Sequence, residues 1–233
     1  MRTWEQLENE IYGMAEKGYA DFSLSLTPTN YKMLGVRIPY LRALAKSVAS
    51  CEVENLLDSA KFNTFEEVML YGFLLSKIKV VDAKLFERID EFLTRADNWA
   101  HIDCVTTSLK IIDGNEDLFL NRYAVLADHD GVFHRRFLAV MLLDWYCGDD
   151  YFFKAMDIYH KIKQGDYYVD MAIAWGLSVM MVKNFNAVIT SLKAGDFSLF
   201  VTKKAIQKGI ESRRISDENK ARLKELRSYF NGK

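Results

Sequence analysis

The chain has 233 residues and a net charge of −1, with half of its residues hydrophobic and 27% charged. This balance is that of a globular protein, and it excludes an intrinsically disordered chain. Apolar runs are too short for a membrane span, and the first residues lack the apolar stretch and cleavage site of a signal peptide, so we expect a cytoplasmic protein with no membrane partner.

Cysteine and histidine spacing gives no sign of a metal centre. Cys51, Cys104 and Cys147 are odd in number, lie far apart and form no CxxC pair, and the histidines also lack the spacing of metal ligands. Zinc sites and disulfide frameworks both need clustered or regularly spaced cysteines. We therefore predict reduced thiols and no metal.

Helical periodicity runs along almost the whole chain. Apolar residues recur at three- and four-residue spacing, as at Leu85, Ile89 and Phe92, whereas strand-like alternation is hard to find. The sequence therefore predicts an all-α fold. Turn-forming residues interrupt the pattern at residues 27–30, 35–39, 63–64, 97–98, 113–115, 128–131, 148–150, 164–166 and 194–196.

The segments between these breaks have a length that suits paired helices. Most span roughly 12 to 18 residues, which is long enough for one helix and too short for that helix to bury its apolar face alone. Helix pairs of about 35 to 45 residues are typical of HEAT-type α-solenoids, in which antiparallel pairs stack and the inner helices line a concave surface. We favour such an α-solenoid over a compact helical bundle. Because no Gly-, Ser- or Pro-rich linker divides the chain, we expect residues 1–233 to form a single domain.

Residues 34–42 have the pattern of a turn followed by a helix. In the sequence Leu-Gly-Val-Arg-Ile-Pro-Tyr-Leu-Arg, we expect Pro39 at the first helical position, where its missing N–H group costs nothing. The same segment carries two basic side chains, Arg37 and Arg42.

Trp99 and Asp103 lie four residues apart in a helical segment that follows Asn98. On an α-helix this spacing stacks the ring and the carboxylate on one face. Taken alone, a tryptophan near a helix start is most often a core residue, and the acid is most often a cap or a solvated residue. The pair is therefore a candidate site that needs support from elsewhere in the chain.

Two arginines open the helical segment of residues 133–141. Arg135 and Arg136 point about 100° apart on a helix, so we expect at most one of them on the apolar, inward side. In isolation, two solvated arginines are the simpler interpretation.

The last third of the chain holds an apolar helix and a basic segment. Residues 167–177 are apolar nearly all round, so we expect Trp175 in the core unless its helix borders a cleft. Residues 193–233 carry eleven basic residues against five acidic ones, while the rest of the chain has an acidic excess. A basic segment of this kind is more often a solvated helix face than a binding surface.

Four segments, taken in order, resemble the DNA alkylation repair family of HEAT-like-repeat alkylpurine DNA glycosylases. The order and spacing of the segments match the family over about residues 5–215, and the set is fairly specific although no single motif is diagnostic. The segments are Gly-Val-Arg-x-Pro-x-Leu-Arg at residues 35–42, Asn-Trp-x-x-x-Asp at residues 98–103, the arginine-headed helix at Arg136, and the run Tyr-Tyr-Val-x-Met-Ala-Ile-Ala-Trp that ends at Trp175.

The resemblance implies an α-solenoid that cradles duplex DNA in its concave face and hydrolyses the N-glycosidic bond of N3- and N7-alkylated purines without a cofactor. It also implies that Trp99, Asp103, Arg136 and Trp175 lie against the damaged nucleotide and converge on one concave face. A carboxylate at Asp103 would stabilise positive charge on the sugar and orient a water molecule. The tryptophan faces would attract the cationic base, and Arg136 would hold a backbone phosphate.

Further basic residues are expected to bind the phosphate backbone without reading sequence. Two other classes of function stay open: a non-catalytic solenoid that binds DNA structures through its C-terminal basic residues, and a scaffold that binds a protein partner. The residues expected to bind DNA are Arg37, Arg42, Arg135, Lys203, Lys204, Lys208, Arg213 and Arg214.

Overall fold

The computed structural model describes residues 1–232, apart from the side chain of residue 231. Within these residues the secondary structure consists of fourteen α-helices and three short 3-10 segments, and β-structure is limited to an isolated bridge between Lys32 and Thr64. The prediction of an all-α fold is confirmed. No helix in this part of the chain is both long and apolar enough to cross a membrane.

The chain divides into two compact units, and each unit has its own set of helices. The N-terminal unit spans Met1–Asn115, and the C-terminal unit begins at Glu116. The single domain over residues 1–233 and the solenoid both stay predictions. The N-terminal unit contains α1 (Trp4–Gly13), α2 (Lys17–Leu26), α3 (Ile38–Ser47), α4 (Val53–Asp58), α5 (Phe65–Leu75), α6 (Ala83–Arg95) and α7 (Trp99–Thr106). The C-terminal unit contains α8 (Glu116–Tyr123), α9 (Val132–Trp145), α10 (Phe152–Lys161), α11 (Tyr167–Lys183), α12 (Phe185–Ala194), α13 (Leu199–Glu211) and α14 (Asp217–Asn231).

Short polar residues begin many of these helices and satisfy their first N–H groups. At α5 the Thr64 hydroxyl accepts from the backbone N–H of Glu67 at 3.2 Å, and the Glu67 carboxylate accepts from the N–H of Thr64 at 2.8 Å. This reciprocal pair is a capping box, which fixes the start of a helix. Asn98, Asn184 and Ser198 cap α7, α12 and α13 through single side-chain contacts.

Helix α5 forms the centre of the N-terminal unit. Every residue from Phe65 to Leu75 is buried, and the helix packs against α3, α6 and α7. A helix that is apolar nearly all round gains its stability from burial on several sides at once. Helices α3, α5 and α7 therefore form a row in which alternate helices of the chain are neighbours.

Helix α11 occupies the corresponding place in the C-terminal unit. It packs against α9, α12 and α13, and most of its residues between Val169 and Met181 are buried. Gly176 makes this close packing possible, since a Cβ built at Gly176 would lie 2.0 Å from the hydroxyl of Tyr159. Helices α9, α11 and α13 thus form a second row of alternate helices, and the prediction that residues 167–177 form a buried helix is confirmed.

The start of α3 differs by one residue from the prediction. The helix begins at Ile38, with Arg37 as its N-cap residue, so Pro39 is its second residue and not its first. The physical reason for proline at this place is unchanged, because none of the first N–H groups of a helix has a partner within the helix.

Candidate functional site

Trp99 and Asp103 lie one turn apart on α7, as the spacing predicts. Both side chains are half-buried. The helix begins at Trp99, where the Asn98 side chain caps it by accepting from the backbone N–H of His101 at 3.0 Å. The indole Nε1 of Trp99 donates to the carbonyl oxygen of Leu26 at 3.2 Å. This hydrogen bond fixes the orientation of the indole ring against the end of α2.

Asp97 holds the loop after α2 against the start of α7. Its carboxylate accepts from the hydroxyl of Thr29 at 2.8 Å and from the backbone N–H of Asn30 at 2.6 Å. The hydroxyl of Tyr31 donates to the carbonyl of Arg95 at 3.0 Å, which ties the same loop to the end of α6. The loop that follows Leu26, the hydrogen-bond partner of Trp99, is therefore held at two points, a support that the sequence did not reveal.

A buried carboxylate organises the Gly35 turn. Glu66 accepts from the backbone N–H groups of Leu34, Gly35 and Val36 at 3.1, 2.7 and 3.2 Å. Gly35 has φ +83, and a Cβ there would lie 2.3 Å from the carbonyl oxygen of Glu16. Only glycine fits both the left-handed backbone and the close approach. The motif at residues 35–42 thus has a structural role, which is to set the start of α3.

The two arginines of that motif are bound within the N-terminal unit. Arg37 makes two 3.0 Å hydrogen bonds to the carboxylate of Glu16, which lower the pKa of that carboxyl group. Arg42 lies over the Phe73 ring, with its guanidinium carbon 4.3 Å from the ring centroid, and it donates to the carbonyl of Cys104 at 2.9 Å. Both remain exposed to solvent, so their predicted role in DNA binding stays open.

Both arginines at the start of α9 are buried, which corrects the expectation that at most one faces inward. Arg135 is 2% exposed and Arg136 is 6% exposed. Arg135 donates to the carbonyl of Lys163 at 2.7 Å and pairs with the carboxylate of Asp166 at 2.8 Å. Arg136 donates to the carbonyl of Tyr168. The loop before α11 folds over Arg135, and the first turn of α11 accepts from Arg136, which a helix considered alone does not predict.

Trp175 lies at a cleft and not in the core. Its side chain is 38% exposed, although the helix around it is buried. The cleft has a volume of about 360 Å³ and is lined by residues of α11, α13 and the segment after α13. Lys208 and Arg214 line it beside Trp175, together with Glu211, whose carboxylate accepts from the amide of Gln207 at 2.9 Å. One predicted site residue and two predicted DNA-binding residues therefore share one surface.

The remaining predicted DNA-binding residues of the C-terminal unit lie on α13 and just after it. Lys203 and Lys204 are half-buried on α13, and the Lys204 ammonium lies 5.8 Å from the centroid of the Phe200 ring. Arg213 is exposed in the segment before α14. In the part of the chain that the structure describes, none of these three pairs with a carboxylate.

The predicted site residues thus fall into two sets, each within its own unit. Trp99 and Asp103 share a helix face in the N-terminal unit, and Trp175, Lys208 and Arg214 share a cleft in the C-terminal unit. The convergence of Trp99, Asp103, Arg136 and Trp175 on one face stays a prediction. Among the described residues, no group of three or more potential ligands is placed to hold a metal ion.

Comparison with protein families decides the classification. The family model for DNA alkylation repair enzymes matches residues 7–208. The chain belongs to this family. A comparison with curated proteins gave no match. For this member of the DNA alkylation repair family, the match takes in all four segments that carry the resemblance, from the Gly35 turn to the end of the run at Trp175.

Proposed function

We propose that this protein is a DNA glycosylase that hydrolyses the N-glycosidic bond of N3- and N7-alkylated purines in duplex DNA. The observation that carries the proposal is the cleft that joins the exposed ring of Trp175 to the cations of Lys208 and Arg214. An aromatic face attracts a cationic base, and neighbouring cations attract phosphates. Membership of the DNA alkylation repair family supports the same ligand.

The chemistry needs little more than electrostatic stabilisation. Alkylation at N3 or N7 places positive charge on the purine, which makes it a good leaving group. When the C1′–N bond breaks, its electron pair moves to the purine, and positive charge develops on the sugar. Water then attacks C1′ and loses a proton, which leaves an abasic site and a neutral alkylated base. No cofactor is needed for these steps.

Each site residue has a role in this proposal. The carboxylate of Asp103 stabilises the cationic sugar and orients the attacking water. The faces of Trp99 and Trp175 favour the cationic base and the positive transition state. Arg136, whose guanidinium is anchored to the carbonyl of Tyr168, holds a phosphate of the damaged nucleotide.

Surface basic residues supply the remaining affinity for DNA. Lys203, Lys204, Lys208, Arg213 and Arg214 are the strongest candidates, because no carboxylate pairs with them among the described residues. Arg37 is a weaker candidate, because it is already paired with a carboxylate. Arg135 is both paired and buried, so we assign it to the fold. Phosphate contacts of this kind bind DNA in a sequence-tolerant manner.

We propose an α-solenoid as the fold that presents these residues. Within each unit, alternate helices pack side by side, as α3, α5 and α7 do and as α9, α11 and α13 do. This is the packing expected of the inner helices of stacked antiparallel pairs. Most of the proposed site residues lie on these two rows of helices. A cytoplasmic location is proposed from the cysteine pattern, which suits reduced thiols.

The experiment that tests the function measures base release. Purified protein is incubated with methylated duplex DNA, and free 3-methyladenine and 7-methylguanine are quantified by chromatography. We expect release by the wild-type protein and a strong decrease for Trp175→Ala, a variant whose exposed side chain contributes little to the core. DNA binding without base release would favour the non-catalytic DNA-binding alternative.

A further inference from the structure

A second basic surface lies in the N-terminal unit, on residues that the proposed mechanism does not use. A cleft of about 260 Å³ opens between the C-terminal ends of α3 and α5. Its lining contains four cations and no carboxylate, within the part of the chain that the structure describes. The lining residues are Arg42, Ala45, Lys46, Ser50, Phe73, Ser76, Lys77 and Lys79. We call this surface the α3–α5 cleft.

Two of the four cations have structural partners. Lys77 donates to the carbonyl of Lys46 at 3.0 Å and to that of Val48, so it caps the C-terminal end of α3. Arg42 is fixed over the Phe73 ring. These contacts hold the two charges in place at the cleft. Neither contact neutralises the charge, since the partners are carbonyl groups, a hydroxyl and a ring.

The other two cations of the cleft, Lys46 and Lys79, make no side-chain hydrogen bond or ion pair with the described residues. Lys46 and Lys79 are exposed, and neither pairs with a carboxylate among the described residues. In the same unit, Lys17 pairs with Asp21 at 3.0 Å, and Lys61 pairs with Glu8 at 3.6 Å. These two lysines therefore pair with acidic side chains, whereas the four cations of the cleft lie close together and repel one another. Burial, and after it repulsion from Lys79, lowers the pKa of Lys77.

We propose that the α3–α5 cleft binds a phosphate of the DNA backbone. A bound phosphate would relieve the repulsion among the four cations and accept hydrogen bonds from their N–H groups. The only aromatic ring in the lining, Phe73, is 2% exposed, so the cleft offers no platform for stacking a base. The ligand is therefore the sugar-phosphate backbone and not a nucleobase. This inference rests on the proposed function, because it takes DNA as the ligand.

Lysine footprinting tests the location directly. Purified protein is acetylated with and without a saturating undamaged duplex, and the modification of each lysine is followed by mass spectrometry. We expect the acetylation of Lys46 and Lys79 to slow at least threefold in the presence of DNA. Lys17, whose side chain is 89% exposed, serves as the internal control and should keep its reactivity.

A pair of double variants tests the energetic contribution. Lys46→Ala with Lys79→Ala should reduce the slope of log Kd against log salt concentration by about one, because the variant no longer binds the phosphate in the cleft. Lys17→Ala with Lys61→Ala removes the same charge from the same unit and should leave the slope unchanged. Equal effects of the two double variants would assign the change to net charge and overturn the proposal.

The outcomes separate this inference from the proposed function. If DNA binds while Lys46 and Lys79 stay fully reactive, the α3–α5 cleft is not a contact and the glycosylase proposal stands. If DNA does not bind at all, both fail. If inorganic phosphate at millimolar concentration protects Lys46 and Lys79 and duplex DNA does not, the cleft serves a small anion, and the assignment to DNA is wrong.

Discussion

Asn98 and His101 fix one another at the start of α7. The side-chain amide of Asn98 donates to Nδ1 of His101 at 2.9 Å, and Nε2 of the same ring donates to the carbonyl oxygen of Phe65 at 3.0 Å. A carbonyl oxygen only accepts, so the proton of the neutral ring is on Nε2. His101 is fully buried, and its neutral ring ties the start of α7, the helix that carries Trp99 and Asp103, to the start of α5.

The burial of His101 predicts a loss of stability in mild acid. Burial lowers the pKa of His101 from 6.5 to about 4, while the nearby carbonyl and Asp97 oppose this shift. The unfolded chain therefore takes up a proton at higher pH than the folded chain does. The contribution of this group is fully present above pH 6.5 and decreases as the pH falls toward 4, by on the order of 3 kcal/mol in total.

Urea denaturation between pH 7.5 and 4.5 measures this effect. The wild-type protein should lose stability steadily across this range, and His101→Gln should show a shallower dependence on pH even if it is less stable throughout. The same steep dependence in both proteins would show that His101 is not the group responsible. The comparison uses the slope, so a general destabilisation of the variant does not obscure the result.

Two glycines in helices should respond to alanine in opposite ways. A Cβ at Gly176 would lie 2.0 Å from the hydroxyl of Tyr159, which donates to the carbonyl of Ala139 at 2.7 Å in a fully buried site. Gly176→Ala should therefore destabilise the protein by about 1–3 kcal/mol. A Cβ at Gly18 in α2 would meet no atom within 4 Å, so Gly18→Ala should stabilise the protein by up to about 1 kcal/mol. Denaturant midpoints measure both, and a neutral Gly176→Ala would show that Tyr159 moves freely.

Local patterns in the sequence predict the helices well where a recognisable boundary residue is present. Asn98 marks the start of α7, and the helical spacing of Trp99 and Asp103 follows from it. The break between α11 and α12 is not among the predicted turns, because residue 184 interrupts an apolar run without glycine or proline. The available signal is the asparagine itself, whose side chain caps α12 by accepting from the N–H of Ala187 at 3.1 Å.

Burial of polar groups is the part that the sequence could not predict. The partners of Arg135 are about thirty residues away in the chain, and Asp97 bonds to Thr29 across 68 positions. Glu66 likewise receives its hydrogen bonds from a turn some thirty residues earlier. Such contacts arise from the packing of separate helices, and no local periodicity encodes them. The exposure of Trp175 has the same origin, since neighbouring helices leave its face of α11 open.

Buried and exposed cations of the C-terminal unit should behave differently on substitution. Lys208→Ala with Arg214→Ala removes two cations that line the Trp175 cleft. The double variant should lower the slope of log Kd against log salt concentration by about one to two. Arg135→Ala should leave that slope unchanged and destabilise the fold by roughly 1–3 kcal/mol, because it leaves buried acceptors without their donor. Binding at several salt concentrations and urea denaturation separate the two effects. A lowered slope for Arg135→Ala would place that residue on DNA after all.

Asp103→Asn gives the sharpest test of the proposed mechanism. The substitution keeps the size and hydrogen-bonding shape of the side chain and deletes its negative charge. If the carboxylate stabilises a cationic sugar, excision of an alkylated purine should slow by roughly 10²-fold or more, which is about 3 kcal/mol in activation free energy. Binding of undamaged DNA should not weaken, because removing an anion near phosphates relieves repulsion. Single-turnover excision and the melting temperature are measured on the same variant. A lowered melting temperature with an unchanged excision rate would give Asp103 a structural role and remove it from the catalytic residues.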